Sequence, residues 1–393
     1  MTQRFKKGLL LGLAQISFVT SAFAYDAINL NVQTHDLAHY KDLAEKYEFA
    51  PGQLQLNREA PVNFEALETR GQGSISYSRR NFGIKLEAPI RVGRVESKKL
   101  DLLSMSADAG YISTRLGLLT AEALQIGTPL PTAYFELFLN GKSNGLYLAV
   151  EKPKSAMNKS PYVVRRGYKS RFDHDGAEVS KKLTLSQTEE IKAVADSIYT
   201  DIATKTGETL FNSLKSKMDI DAYMRWMAMN SLYTNGDFPD EIFFFADSEM
   251  YKQGKIYFRV TPWDTDDLFK AMHNVPINAT EAAKPENMKS ILYSYEDKLD
   301  RAFAPVNAYM YEQFKATTRT VITKLNQDVT DGMLRHIYSE LQEYLTNQNV
   351  LTLSGKDSGR KGVMYTKSEI ENIFLKRKKQ IDERRAILLE RVK

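Results

Sequence analysis

The chain has 393 residues, 42% of them hydrophobic and 26% charged, with 54 Lys and Arg against 49 Asp and Glu for a formal net charge of +5. That composition excludes a disordered, collagenous or coiled-coil protein and leaves ample core material for one large catalytic unit. Cysteine is absent, which excludes a disulfide framework, a thiol nucleophile and a thiolate metal site, so any chemistry must use oxygen and nitrogen.

Arg4, Lys6 and Lys7 precede a mostly apolar run from Gly8 to Val19 and the small-residue ending Ala22-Phe23-Ala24. This is the order of a secretory signal peptide, with cleavage expected after Ala24, and the run is short for a membrane-spanning helix. The mature chain is expected to be exported to the periplasm or the medium, with no transmembrane segment. Without those three cations its charges nearly balance, which gives no bulk electrostatic reason to bind nucleic acid.

In chain order, His35 and His39 are spaced to share a helix face, but no third ligand accompanies them, so they read as surface or packing histidines. Ile75 to Ile90 alternates imperfectly and predicts a strand. Leu116, Leu119, Ala123 and Leu124 recur at helical intervals before the stop signals Gly127 and Pro129. Ala133 to Glu151 predicts a hairpin in which two turn-forming pairs, Asn140-Gly141 and Asn144-Gly145, compete for the register. A short strand at Tyr162 to Gly167 follows, then a polar loop at Arg171 to Gly176 that lacks a calcium-site pattern.

Helical periodicity runs from Ser186 to Met218 and again from Ile220 to Thr234, where Met and aromatic residues are core candidates. Strands at Ile242 to Phe245 and Lys255 to Val260 come next, and the remainder to Lys393 reads as helices broken near Ser354 to Gly362, with an amphipathic closing helix packed on the domain. These elements predict an α+β fold.

The densest chemistry flanks that last strand pair. Asp237, Asp240 and Glu241 precede its first strand, and Asp264, Asp266 and Asp267 follow its second. An antiparallel return brings the two acidic ends side by side. Carboxylates so crowded require a cation, a proton or basic partners, and hard divalent cations with substrate phosphates suit oxygen ligands of this kind. The same spacing also suits a pair of acidic surface loops. Upstream, Gly71 and Gly73 could let backbone amides approach phosphate, Lys85 supplies a mobile charge, and Arg70, Arg79 and Arg80 offer further contacts, although no standard phosphate-loop pattern is matched and a simple turn fits equally.

The segments RGQGS, LLSMSADAGYISTRLGLLTAEAL, GLYLAVEKP, NGD and PWDTD, in this order, resemble the CotH family of secreted and spore-coat protein kinases over roughly Glu68 to Leu268. The resemblance implies an atypical protein-kinase-like fold of two lobes. Residues 25–67 would be an N-terminal extension, 68–153 the smaller nucleotide lobe, and 154–393 the larger catalytic lobe with its C-terminal helices. It also implies ATP with Mg²⁺ or Mn²⁺ as cofactors, and transfer of the γ-phosphoryl group to Ser or Thr of the protein itself or of an envelope or secreted partner.

By the same resemblance, Asp237 would orient or deprotonate the acceptor hydroxyl, Asp264 would hold the metal, and Asp266 would be a second ligand. Lys85, Arg70, Gly71, Gly73, Ser74 and the hinge residue Glu151 would contact nucleotide. Family members often carry an asparagine five residues after the catalytic aspartate, where this chain has Ile242. Either Asp240 or Glu241 supplies the missing oxygen, or the second metal is weak or absent. That departure keeps open a nucleotide-binding pseudokinase, and transfer of AMP instead of phosphate is a further alternative on the same scaffold.

Overall fold

The computed structural model describes residues 26–41, 45–71, 74–157, 159–167, 170–237, 241–270, 290–293, 297–347, 350 and 365–393. The expected export segment lies outside them. The described elements form an N-terminal β-barrel and a C-terminal, mainly helical region, an α+β arrangement consistent with two lobes.

Seven strands close the barrel: β1 (Ala27–Asn31), β2 (Gly52–Leu56), β3 (Val62–Arg70), β4 (Asn81–Val92), β5 (Val95–Leu103), β6 (Thr132–Leu139) and β7 (Lys142–Glu151). Neighbours are antiparallel except at the seam, where β1 runs parallel to β6 with Ile28 opposite Leu137. Strand alternation fills the interior: Phe82, Ile84 and Leu86 point inward while Lys85 between them is exposed. The stretch expected as an extension thus supplies β1, β2 and most of β3. A short helix, α1 (Thr34–His39), links β1 to β2 and carries both spaced histidines, whose ring centroids are 5.1 Å apart.

The strand expected from Ile75 starts only at Asn81, after a 3-10 turn at Ser74–Ser76. Arg79 and Arg80, offered above as phosphate contacts, are buried there instead. Arg79 Nη2 donates to Ser104 O at 2.8 Å beneath the Tyr147 ring, and Arg80 Nη2 donates to Lys41 O at 3.0 Å. Between the two turn candidates of the hairpin, Asn140-Gly141 makes the turn with φ of 49° and 77°. Positive φ at both positions is what a two-residue type I′ turn needs, and Asn and Gly tolerate it best. The Asn144-Gly145 pair lies within β7, beside a register shift.

Helix α2 (Ser113–Ala123) crosses between β5 and β6, and α3 (Pro153–Ala156) follows β7. A second sheet then has the order β10 (Glu178–Val179), β8 (Tyr162–Gly167), β11 (Ile242–Ala246), β12 (Phe258–Pro262), with β9 (Arg171–Phe172) pairing β8. The polar loop after β9 is clipped down by His174, which bonds Tyr162 Oη at 2.7 Å and Asp196 at 2.9 Å.

The helical stretch expected from Ser186 to Met218 divides at Lys205 and Thr206 into α4 (Leu185–Thr204) and α5 (Gly207–Lys217). Next comes α6 (Ile220–Tyr233), whose Met224, Met227 and Met229 are buried as expected. The short α7 (Ser248–Lys252) joins β11 to β12, and α8 (Lys298–Arg301), α9 (Ala308–Lys324), α10 (Gln327–Leu345) and α11 (Lys367–Arg391) complete the described helices. The closing helix α11 packs on α6, Arg384 Nε donating to Ser231 O at 2.8 Å. Among the described residues, no helix is long and apolar enough to cross a membrane.

Candidate functional site

β11 and β12 pair antiparallel with Ile242 opposite Pro262, and Trp263 N donates to Glu241 O at 2.9 Å. The two acidic loops therefore meet at one end of the second sheet, as the strand order required. Past Trp263 the chain turns sharply: Asp264 takes a left-handed conformation, φ 53°, and starts a 3-10 turn over Thr265–Asp267. One carboxylate oxygen each from Glu241, Asp266 and Asp267 lies within 4.8 Å of the others.

Charges this close repel by roughly 3–4 kcal/mol per pair at an effective dielectric near 20, so all three cannot stay ionised without compensation. Burial, reinforced by the charges of Asp264, Asp266 and Asp267, holds the Glu241 carboxyl well above its ordinary range, against a hydrogen bond from Asn235 Nδ2 at 2.6 Å. Burial does the same to Asp266, with Asp264 and Asp267 adding to it. Compensation comes partly from Lys270, which pairs with Asp267. Burial works against the Lys270 ammonium, yet Asp266 and Asp267 hold its pKa above the usual value. A set of hard carboxylate oxygens at one point, short of positive charge, fits a small divalent cation.

Asp237 adjoins this cluster through the backbone, since Gly236 N donates to Asp267 O at 2.9 Å, and Asp237 N bonds Asn235 Oδ1 at 3.3 Å. Asp240 lies outside the described residues. Ile242 is fully buried in β11 and offers no oxygen, whereas Glu241 beside it does. Of the residues expected to hold metal, the fold brings Asp266 into the cluster together with Glu241, one of the two offered in place of the missing asparagine, sets Asp264 beside it, and adds Asp267.

The expected nucleotide contacts divide. Arg70 reaches the acidic end: its guanidinium lies 5.3 Å from the Trp263 ring centroid, pairs with Asp101 and senses the Asp264 charge, while burial lowers its pKa. Gly71 turns the chain at φ +102°, and Ser74 Oγ accepts from Asn81 Nδ2 at 3.1 Å. Gly73 is outside the described residues. Glu151 accepts from Ser97 Oγ at 2.9 Å. Lys85 is about half exposed on the outer barrel face, paired with Glu65.

A different lysine lies near Arg70. Lys152, between β7 and α3, is 3.5 Å from Glu68 Oε1, and burial together with the Arg70 charge weakens its hold on a proton, Glu68 opposing. In the sequence Lys152 stood out only as part of the segment GLYLAVEKP. Its proximity to Arg70 depends on β3 and β7 converging, which no local pattern states. Lys270 was equally silent, although its three-residue spacing from Asp267 was a readable signal for an ion pair.

No curated protein matches the chain. The family model described as CotH kinase protein matches residues 67–373, a span that runs from β3 through the acidic end of the second sheet into α11. The chain belongs to the CotH kinase protein family.

Proposed function

We propose that the protein is an exported, metal-dependent protein kinase with an atypical kinase-like fold, transferring the γ-phosphoryl group of ATP to Ser or Thr hydroxyls of itself or of an envelope or secreted protein. One observation carries the reading: in a chain of this family, three carboxylates converge within 4.8 Å where two acidic loops meet.

Asp264 and Asp266, with Glu241 and Asp267 beside them, would hold Mg²⁺ or Mn²⁺. When bound, that ion supplies positive charge to the phosphate oxygens of the nucleotide. Asp237 would orient the acceptor hydroxyl and take its proton as the oxygen bonds the γ-phosphorus and the bond from that phosphorus to the bridging oxygen breaks, ADP leaving with the electron pair. Arg70 and Lys152 would receive phosphate oxygens from the barrel side, with Glu68 restraining the Lys152 ammonium much as a carboxylate orients any mobile lysine. Gly71, Gly73 and Ser74 would line the approach, and Glu151 the hinge.

Incubating the protein with ATP and Mn²⁺ and reading intact mass tests this. Phosphate adds about 80 Da and AMP about 329 Da, so the mass also identifies the group transferred. Phosphate should appear on the wild type or an added protein acceptor, and Asp264→Ala should abolish it. Transfer unchanged in Asp264→Ala sinks the metal role. The buried Ile242 favours a second reading, a scaffold that binds nucleotide without transferring phosphate. ATP-dependent thermal stabilisation with no mass change would establish it instead.

A further inference from the structure

Gly117 occupies the middle of α2, where glycine is about 1 kcal/mol less favourable than alanine. Its surroundings explain the choice. A Cβ at this position would fall 2.5 Å from Thr265 Cβ and 2.9 Å from Thr265 Cγ2, and closer still to Oγ1. Thr265 stands between Asp264 and Asp266, is 1% exposed, and donates from Oγ1 to Thr114 O on α2 at 3.2 Å. A β-branched side chain is stiff about χ1, so it cannot swing aside without its backbone following.

α2 is also unable to retreat. At its N-terminus the buried Asp108 accepts from Ser113 N at 2.9 Å and Thr114 N at 3.0 Å. Two residues before Gly117, the buried Arg115 makes a two-pronged bond to Glu340 of α10, at 3.0 and 2.8 Å, and a third bond to Thr132 of β6 at 2.8 Å. The helix is thus tied to the turn before it, to the barrel and to α10. Any atom added at Gly117 must displace the acidic turn.

We propose that Gly117 is a positioning residue: the bare helix surface it leaves is the seat on which Thr265 rests, and this seat sets the height of the carboxylates of Asp264 and Asp266. The inference rests on the metal-binding reading above, and the experiment separates the two. Mn²⁺ affinity is measured calorimetrically on the purified protein without nucleotide, with circular dichroism as the check on folding.

Gly117→Ala should stay folded and bind Mn²⁺ about tenfold more weakly, the lower end of what disturbing the support of a metal ligand costs in affinity. Gly117→Ala with Thr265→Gly, which removes all three opposing atoms, should relieve the clash and bring affinity back towards the smaller deficit of a slackened seat alone. Ala123→Gly, at the far end of α2, should lower the melting temperature and leave Mn²⁺ affinity unchanged, a split that general weakening of the helix would not produce. If Gly117→Ala does not fold, Thr265→Ala decides, with about fivefold weaker binding expected from the slackened seat.

Wild-type affinity in a folded Gly117→Ala protein, or in Thr265→Ala when that variant decides, overturns the inference and leaves the metal reading standing. So does a loss that the double variant fails to relieve. A wild type that binds no Mn²⁺ overturns both.

Discussion

Glu241 and Asp266 lie where a proton is easier to keep than a charge, because burial and three neighbouring acids raise both carboxyl pKa values well above normal. Ligating a cation requires the ionised form, so binding must expel protons. The sign follows: Mn²⁺ affinity should rise with pH and fall as acidification keeps these groups protonated, and calorimetry in buffers of different ionisation enthalpy should register proton release. Affinity that does not change with pH, with no proton release, would mean that binding does not deprotonate these two acids.

At this scale the acids were readable in the sequence, since two loops bracketing an antiparallel strand pair must meet. The basic side was not. Lys85 was the lysine expected at the nucleotide yet points outward to Glu65, while Lys152, just past the end of β7, sits with Glu68 and Arg70, because strand alternation and the barrel's closure, not residue type, decide where each ammonium lies.

Among the elements, the ties between α2 and α10 bear most on the site. Glu340 accepts two bonds from Arg115 and lies 3.2 Å from His336 Nε2. Burial alone would raise its pKa, but these partners outweigh it and hold the carboxylate down at about 2. A depressed folded-state pKa stabilises the protein above the unfolded value and is lost as pH falls through the folded one. The contribution, about 3 kcal/mol for a shift of this size, should therefore be present at pH 7 and disappear between about pH 4.5 and 2. Glu340→Gln should lower the melting temperature at neutral pH and converge on the wild type near pH 2, and equal losses at both pH values would refute the assignment. The helix α2 and the hairpin β6–β7 were legible from periodicity and from an Asn-Gly turn. The break between α4 and α5 was not, because apolar periodicity continues across it while Lys205 turns extended.

For the whole molecule, the barrel was the largest surprise. β1 and β2 are five residues each, and the partner that closes the ring against β1 is β6, more than a hundred positions later. No window of sequence contains that pairing. The family match begins at residue 67, inside β3, yet the ring needs the strands before it. A fragment starting at residue 67 would lose most of β3 and expose the edges of β4 and β6, with unpaired backbone groups that invite edge-to-edge association. It should aggregate or fail to fold, whereas a fragment from residue 26 should remain monodisperse by size exclusion and melt cooperatively. A well-behaved fragment from residue 67 would show that the first two strands and most of β3 are dispensable.

The parallel seam also sets a clock. Synthesis at about 5–20 residues per second leaves β1 waiting roughly 5–20 seconds for β6 to be made, and the ring stays an unfinished ribbon meanwhile. An unfinished ribbon can still be threaded through a narrow channel where a closed cylinder would jam, so a chain exported as proposed above would stay threadable at least until β6 is made.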